Sequence, residues 1–158
     1  MMMIDVDFPD DGISVDEEAF ISSIKAKLAK EIGRSFLLFQ TAGGLRAICT
    51  NQTDGADSPE TLRLMERVGA DPLYVRLCKG QKCFRSRITP KPWRISPAVK
   101  LPDGNPSDSW IAMYEKHSFS YGVCRFLGRI GQEDILPEFF DALAIHNQTV
   151  CMEERFLG

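Results

Sequence analysis

The chain has 158 residues, 44% of them hydrophobic and 26% charged, with a formal net charge of −3. That size and balance suit one globular domain able to bury a core without disulfide or metal staples. The negative balance argues against indiscriminate nucleic-acid binding, and no apolar run reaches the roughly 18–20 residues that span a bilayer.

Met1 to Met3 lead directly into Ile4-Asp5-Val6-Asp7, without the pattern of a secretory leader, so the chain reads as cytoplasmic, with no membrane segment. Five cysteines (Cys49, Cys78, Cys83, Cys124 and Cys151) are then expected as reduced, mostly buried thiols.

Residues 2–8 alternate. Ile4, Val6 and Phe8 point one way and Asp5 and Asp7 the other, which is the period of a strand. Pro9-Asp10-Asp11-Gly12 ends it with turn chemistry. Ser14 and Glu17 form a capping box, and Ile21, Ile24, Leu28 and Ile32 recur at helical spacing before Gly33, predicting a helix over about 15–32. Two apolar runs, 35–40 and 45–50, flank Gly43-Gly44 and predict a β-hairpin. Ser58 and Pro59 open a second helix running to about Val68, and Gly69-Ala70-Asp71-Pro72 breaks it.

Residues 73–78 and 83–89 read as a second hairpin around Lys79-Gly80-Gln81-Lys82, with Arg85 and Arg87 on one strand face. Residues 96–108, with three prolines, read as a loop. Helices are predicted from Trp110 to about Arg125 and from Leu136 to about His146. The fold class that follows is α/β of the α+β kind: a mixed or antiparallel sheet with helices packed on one face and a helical C-terminal part. One domain is expected over 1–158, with a sheet core over 1–95, a loop over 96–108 and C-terminal helices over 109–158.

Charge is distributed unevenly. Between Arg76 and Arg94 stand seven basic residues and no acidic one, leaving 12 basic against 22 acidic residues elsewhere. Such a stripe on an otherwise acidic chain points to one anion-facing surface. Within it, Arg85 and Arg87, then Lys91 and Arg94 flanking Trp93, suit a phosphate backbone with a base stacked nearby; the bland alternative is a solvated strand paired with surface acids.

Asp5 and Asp7 would set two carboxylates about 6–7 Å apart at Cα, a spacing at which oxygen ligands hold Mg²⁺ or Mn²⁺; the bland alternative is an acidic edge strand. The loop Gln40 to Arg46 lets backbone approach a phosphate, with Arg46 as a bidentate partner, or is simply a turn. Cys78-x4-Cys83 is at most half a zinc site, completed by His117, Cys124 or His146, and His146 reads as a cation at a helix C-terminus.

In order, these features resemble the archaeo-eukaryotic primase (primase–polymerase) superfamily, as a divergent or degenerate member. Met2-Met3-Ile4-Asp5-Val6-Asp7 is similar to that family's hhhDhD strand. Thr41-Ala42-Gly43-Gly44-Leu45-Arg46 occupies the place of its second motif, with Arg46 where the family has histidine. Arg87-Ile88-Thr89-Pro90-Lys91 is similar to its phosphate-contacting turn without the glycine.

The resemblance covers about residues 2–94 and implies an RRM-like sheet. It further implies Asp5 and Asp7 as catalytic metal ligands for Mg²⁺ or Mn²⁺, with Arg46, Arg85, Arg87, Lys91, Arg94 and Trp93 contacting a nucleotide or nucleic acid. The activity implied is metal-dependent nucleotidyl transfer. The family's third carboxylate has no identifiable counterpart, Asp71 being the nearest candidate. A non-catalytic binding or regulatory module on the same scaffold is the alternative, acting with a protein partner or as a homo-oligomer. A phosphatase of the haloacid-dehalogenase type also opens with D-x-D, but Pro9 stands where that motif needs Thr or Val.

Overall fold

A computed structural model describes residues 1–9, 16–150 and 156–158. The proposed cap Ser14 and most of the turn after Pro9 lie outside the described residues. The first strand, β1 (Met3–Asp7), and the first helix, α1 (Glu17–Leu28), follow the alternation and the 3.6-residue period. Asp16 caps α1, its Oδ1 accepting from the Ala19 amide at 3.0 Å. The helix stops at Leu28, short of the predicted end. Ile32 is consequently 97% exposed rather than a core residue.

The hairpin forms as expected. Strands β2 (Phe36–Thr41) and β3 (Gly44–Cys49) pair antiparallel from Phe36↔Cys49 to Thr41↔Gly44. β1 pairs antiparallel with β3, placing Asp5 opposite Arg46 and Asp7 opposite Gly44. Gly44 makes this crossing possible, because a Cβ there would lie 2.0 Å from the Val6 carbonyl oxygen. The second helix, α2 (Pro59–Val68), has Ser58 as its cap and ends on Gly69 with φ +90°.

The expected second hairpin does not exist. Residues Pro72–Gln81 form helix α3, and residues 82–89 form neither helix nor strand. Asp71-Pro72, read as a breaker, is a helix start: Asp71 accepts from the amides of Leu73 at 3.0 Å and Tyr74 at 3.1 Å, and Pro72 fills the first helical position. Arg85 and Arg87 therefore do not share a strand face.

The helix predicted to run to Arg125 is also shorter. It spans Asp108–Ser118 as α4, capped by Ser107, and the chain then turns into β4 (Tyr121–Gly122) and β5 (Cys124–Ile130). β5 adds antiparallel to β2 with one register shift between Leu38 and Phe39. A 3₁₀ turn over Pro137–Phe139 leads into α5 (Phe140–Val150), which carries His146 in its interior. β6 (Phe156–Leu157) pairs parallel with β4.

The architecture is α+β, with a four-stranded antiparallel sheet in the order β1-β3-β2-β5. The strand-helix-hairpin opening sets β1 beside β3, and β1 is a sheet edge among the described residues. That edge is covered, since the Asp71 amide donates to the Asp5 carbonyl at 2.9 Å and the Tyr74 hydroxyl to the Met3 carbonyl at 3.3 Å.

Alternation gives the sheet two unlike faces. Ile4, Val6, Phe36, Leu38, Leu45 and Ala47 are buried against Ile24 and Leu28 of α1 and Leu64, Met65 and Val68 of α2. On the other face Leu37, Phe39 and Ile48 pack against Leu143 and Val150 of α5. The remainder of that second face, at the β1 edge, carries Asp5, Asp7 and Arg46. Among the described residues, no helix is long and apolar enough to cross a membrane.

Candidate phosphate-binding cleft

A cleft of about 370 Å³ opens over this polar corner of the sheet. Asp5, Asp7, Arg46, Arg87, Lys91 and Arg94 all line it. The first three are placed by strand register, whereas the last three arrive on the irregular segment after α3. Tyr74 and Leu77 of α3 form another wall. Tyr74 is not marked by the sequence as a site residue because residues 73–78 read as a strand; the signal that places it is the helix cap at Asp71.

Arg46 sits on the floor, 4% exposed. Its Nε donates to Asp5 Oδ1 at 2.9 Å and its Nη2 to Oδ2 at 3.2 Å, a bidentate pair between directly facing residues of β1 and β3. Burial by itself would lower the Arg46 pKa, but the charge and hydrogen bonds of Asp5 outweigh it, and the net direction is upward. The guanidinium stays charged. Its Nη1 is buried with no hydrogen-bond partner among the described residues.

Asp7, exposed at the mouth, has its pKa raised. Partial removal from water contributes most, Asp71 and Asp5 add repulsion, and Lys91 and Arg94 pull the other way. Burial also pushes the Tyr74 phenol upward, with the Asp5 charge adding, so Tyr74 remains a neutral hydrogen-bond donor.

The glycine turn serves the basic segment directly. A Cβ on Gly43 would lie 2.6 Å from Arg94 Nη1 and 2.7 Å from Nη2, so the missing side chain is the seat of that guanidinium. Among the described residues, no carboxylate lies within ion-pair distance of Arg87, Lys91 or Arg94. Four cationic side chains thus face two carboxylates across the cleft, and one of those carboxylates is already occupied.

Two residues of the predicted set lie elsewhere. Arg85 lines a neighbouring hollow with Cys78, Cys83 and Ser86. Trp93, 50% exposed, lies outside the cleft, but Arg87 Cζ and Lys91 Nζ each stand 5.9 Å from its ring centroid. His146 is not a terminal cation. It is buried edge-on against Phe39 at 4.7 Å, and burial lowers its pKa, so the ring is neutral.

A divalent cation is a poor fit to the donors as folded. Both Asp5 oxygens are held by Arg46, and both Asp71 oxygens cap α3, which leaves Asp7 as the uncommitted carboxylate of the three. Among the described residues, no group of three or more His, Cys, Asp or Glu side chains is arranged to hold a metal ion, Cys78 and Cys83 included. No family model, curated protein or solved structure matches the chain.

Proposed function

We propose that this domain handles nucleotides or nucleic acid, binding their phosphate groups in the cleft through Arg46, Arg87, Lys91 and Arg94. The observation that carries this reading is the convergence of those four cations, from a strand and a distant irregular segment, on one concave site. Guanidinium and ammonium groups suit phosphate oxygens, Arg87, Lys91 and Arg94 make no ion pair among the described residues, and Trp93, beside Arg87 and Lys91, offers a face for a base. The non-catalytic binding module is the form the geometry favours, because Asp5 is committed to Arg46.

The second reading, metal-dependent nucleotidyl transfer of the primase–polymerase kind, rests on the resemblance and on the mutual repulsion of Asp5, Asp7 and Asp71, which a bound cation would relieve. A cytoplasmic setting belongs to the same proposal and is supported by Cys49, Cys78 and Cys83 being thiols. A protein partner or a second copy of the chain stays part of it.

The test titrates a labelled single-stranded oligonucleotide and a nucleoside triphosphate against wild type, Lys91→Ala and Arg94→Ala at several salt concentrations. Affinity is expected to fall with salt and to drop in both variants. Binding that ignores both salt and these substitutions would sink the reading. Incorporation on a template with Mn²⁺, abolished by Asp7→Ala, would favour the catalytic form over the binding module.

A further inference from the structure

Arg46 divides its donors unequally. Two of its nitrogens hold the two oxygens of Asp5, while Nη1 has no acceptor among the described residues although the side chain is 96% buried. A guanidinium N–H shut away from bulk water and without an acceptor is unfavourable, and an anionic oxygen is the acceptor that suits it best. The residue lines the same cleft as Lys91 and Arg94, which, unlike Arg46, make no ion pair among the described residues.

In sites where carboxylates face phosphate, a divalent cation commonly joins the two and cancels their repulsion. The arrangement here already contains a cation in that position. It is covalently part of the chain, seated bidentately on Asp5, with a further donor that has no acceptor among the described residues. Asp7, its pKa raised first by partial burial and then by Asp71 and Asp5, stands at the mouth, while Arg46 occupies the floor.

We propose that Arg46 replaces a divalent cation in this cleft, so that a phosphate or pyrophosphate group binds over the Arg46 guanidinium, with Lys91 and Arg94 closing on its remaining oxygens, without any metal. The inference rests on the reading of the cleft as a phosphate site. It assigns Asp5 a role opposite to that of a metal ligand: Asp5 restrains and partly neutralises Arg46, and so competes with the ligand.

Isothermal titration of the full chain with inorganic pyrophosphate, in EDTA and then in Mg²⁺, tests this directly. The dissociation constants are expected to agree within about threefold. Removing the competing charge with Asp5→Asn is expected to tighten binding by about 3- to 10-fold, the scale of one carboxylate in a water-filled cleft. Arg46→Lys, which keeps the charge but loses the fork, is expected to weaken it by more than about 10-fold. Arg94→Ala, which removes an exposed side chain and leaves the fold alone, weakens it several-fold and covers the case in which Asp5→Asn does not fold.

Nucleoside triphosphate and 5′-phosphorylated oligonucleotide, run in the same EDTA buffer, identify whether the phosphate comes free, on a nucleotide or at a strand end. Binding that needs Mg²⁺ or Mn²⁺, or that is lost in folded Asp5→Asn, overturns the inference while leaving the cleft a phosphate site. Failure of all three probes to bind with or without metal overturns the phosphate reading itself.

Discussion

Gly43 and Gly44 are neighbours in one turn, yet a methyl group added to each should have opposite consequences. At Gly44 the new Cβ falls 2.0 Å from the Val6 carbonyl oxygen and 2.8 Å from Asp7 Cα, both backbone atoms of β1. Carbon and oxygen tolerate about 3.3 Å at closest, so the end of β1 must withdraw by roughly 1 Å. That withdrawal disrupts the Asp7–Gly44 pairing and the 2.8 Å bond from the Phe8 amide to the Gly43 carbonyl. Two ladder bonds at about 1 kcal/mol each, with about 1–3 kcal/mol of overpacking, give a loss of about 3–5 kcal/mol. For a domain of this size that is a fall in Tm of roughly 10 °C.

At Gly43 the Cβ meets the tip of Arg94, a flexible side chain that can swing away. Gly43→Ala should cost less than about 0.5 kcal/mol but displace Arg94 from the cleft and weaken phosphate binding several-fold. Urea unfolding followed by circular dichroism on both variants, with a pyrophosphate titration of Gly43→Ala, measures each effect. Equal stability losses in the two variants, or a Gly44→Ala protein within 0.5 kcal/mol of wild type (about the scatter of neutral surface changes), would refute the close approach of β1.

Asp5→Ala should destabilise more than Arg46→Met, because Arg46 is buried and Asp5 keeps partial access to water: about 3–5 against about 1–3 kcal/mol, with a double-mutant cycle giving the coupling. Asp71→Ala should cost about 1–2 kcal/mol through loss of the α3 cap. It should also lower the Asp7 pKa toward the ordinary carboxylate range, as followed by carboxyl NMR titration. His146 has a folded-state pKa below its unfolded value, so the unfolded chain binds more protons and stability should fall as pH drops through about 6.5. His146→Leu should flatten that acid-side decline in chemical denaturation, and an unchanged slope would contradict the buried neutral ring.

The short-range features of this protein were set by its residues alone. Alternation in Ile4-Asp5-Val6-Asp7, the Gly43 turn and the Ser58-Pro59 start each act within a few residues, and each produced the expected element. Asp71-Pro72 carries the same kind of local signal as Ser58-Pro59, a capping side chain followed by proline at the first helical position, and it starts a helix in the same way. Cys124–Ile130 is a different case. It becomes a strand because β2 offers an unpaired edge, a partner some 90 residues away in sequence.

The candidate site divides along the same line. Two carboxylates on one strand face and a run of cations with no acidic residue among them are visible in the chain. Only the tertiary structure could seat Arg94 against Gly43, leave Arg85 outside, and set Arg46 across from Asp5 as a bidentate partner. Those outcomes depend on strand register and on where an irregular segment comes to rest. Both are fixed by long-range packing, for which the local sequence holds no signal.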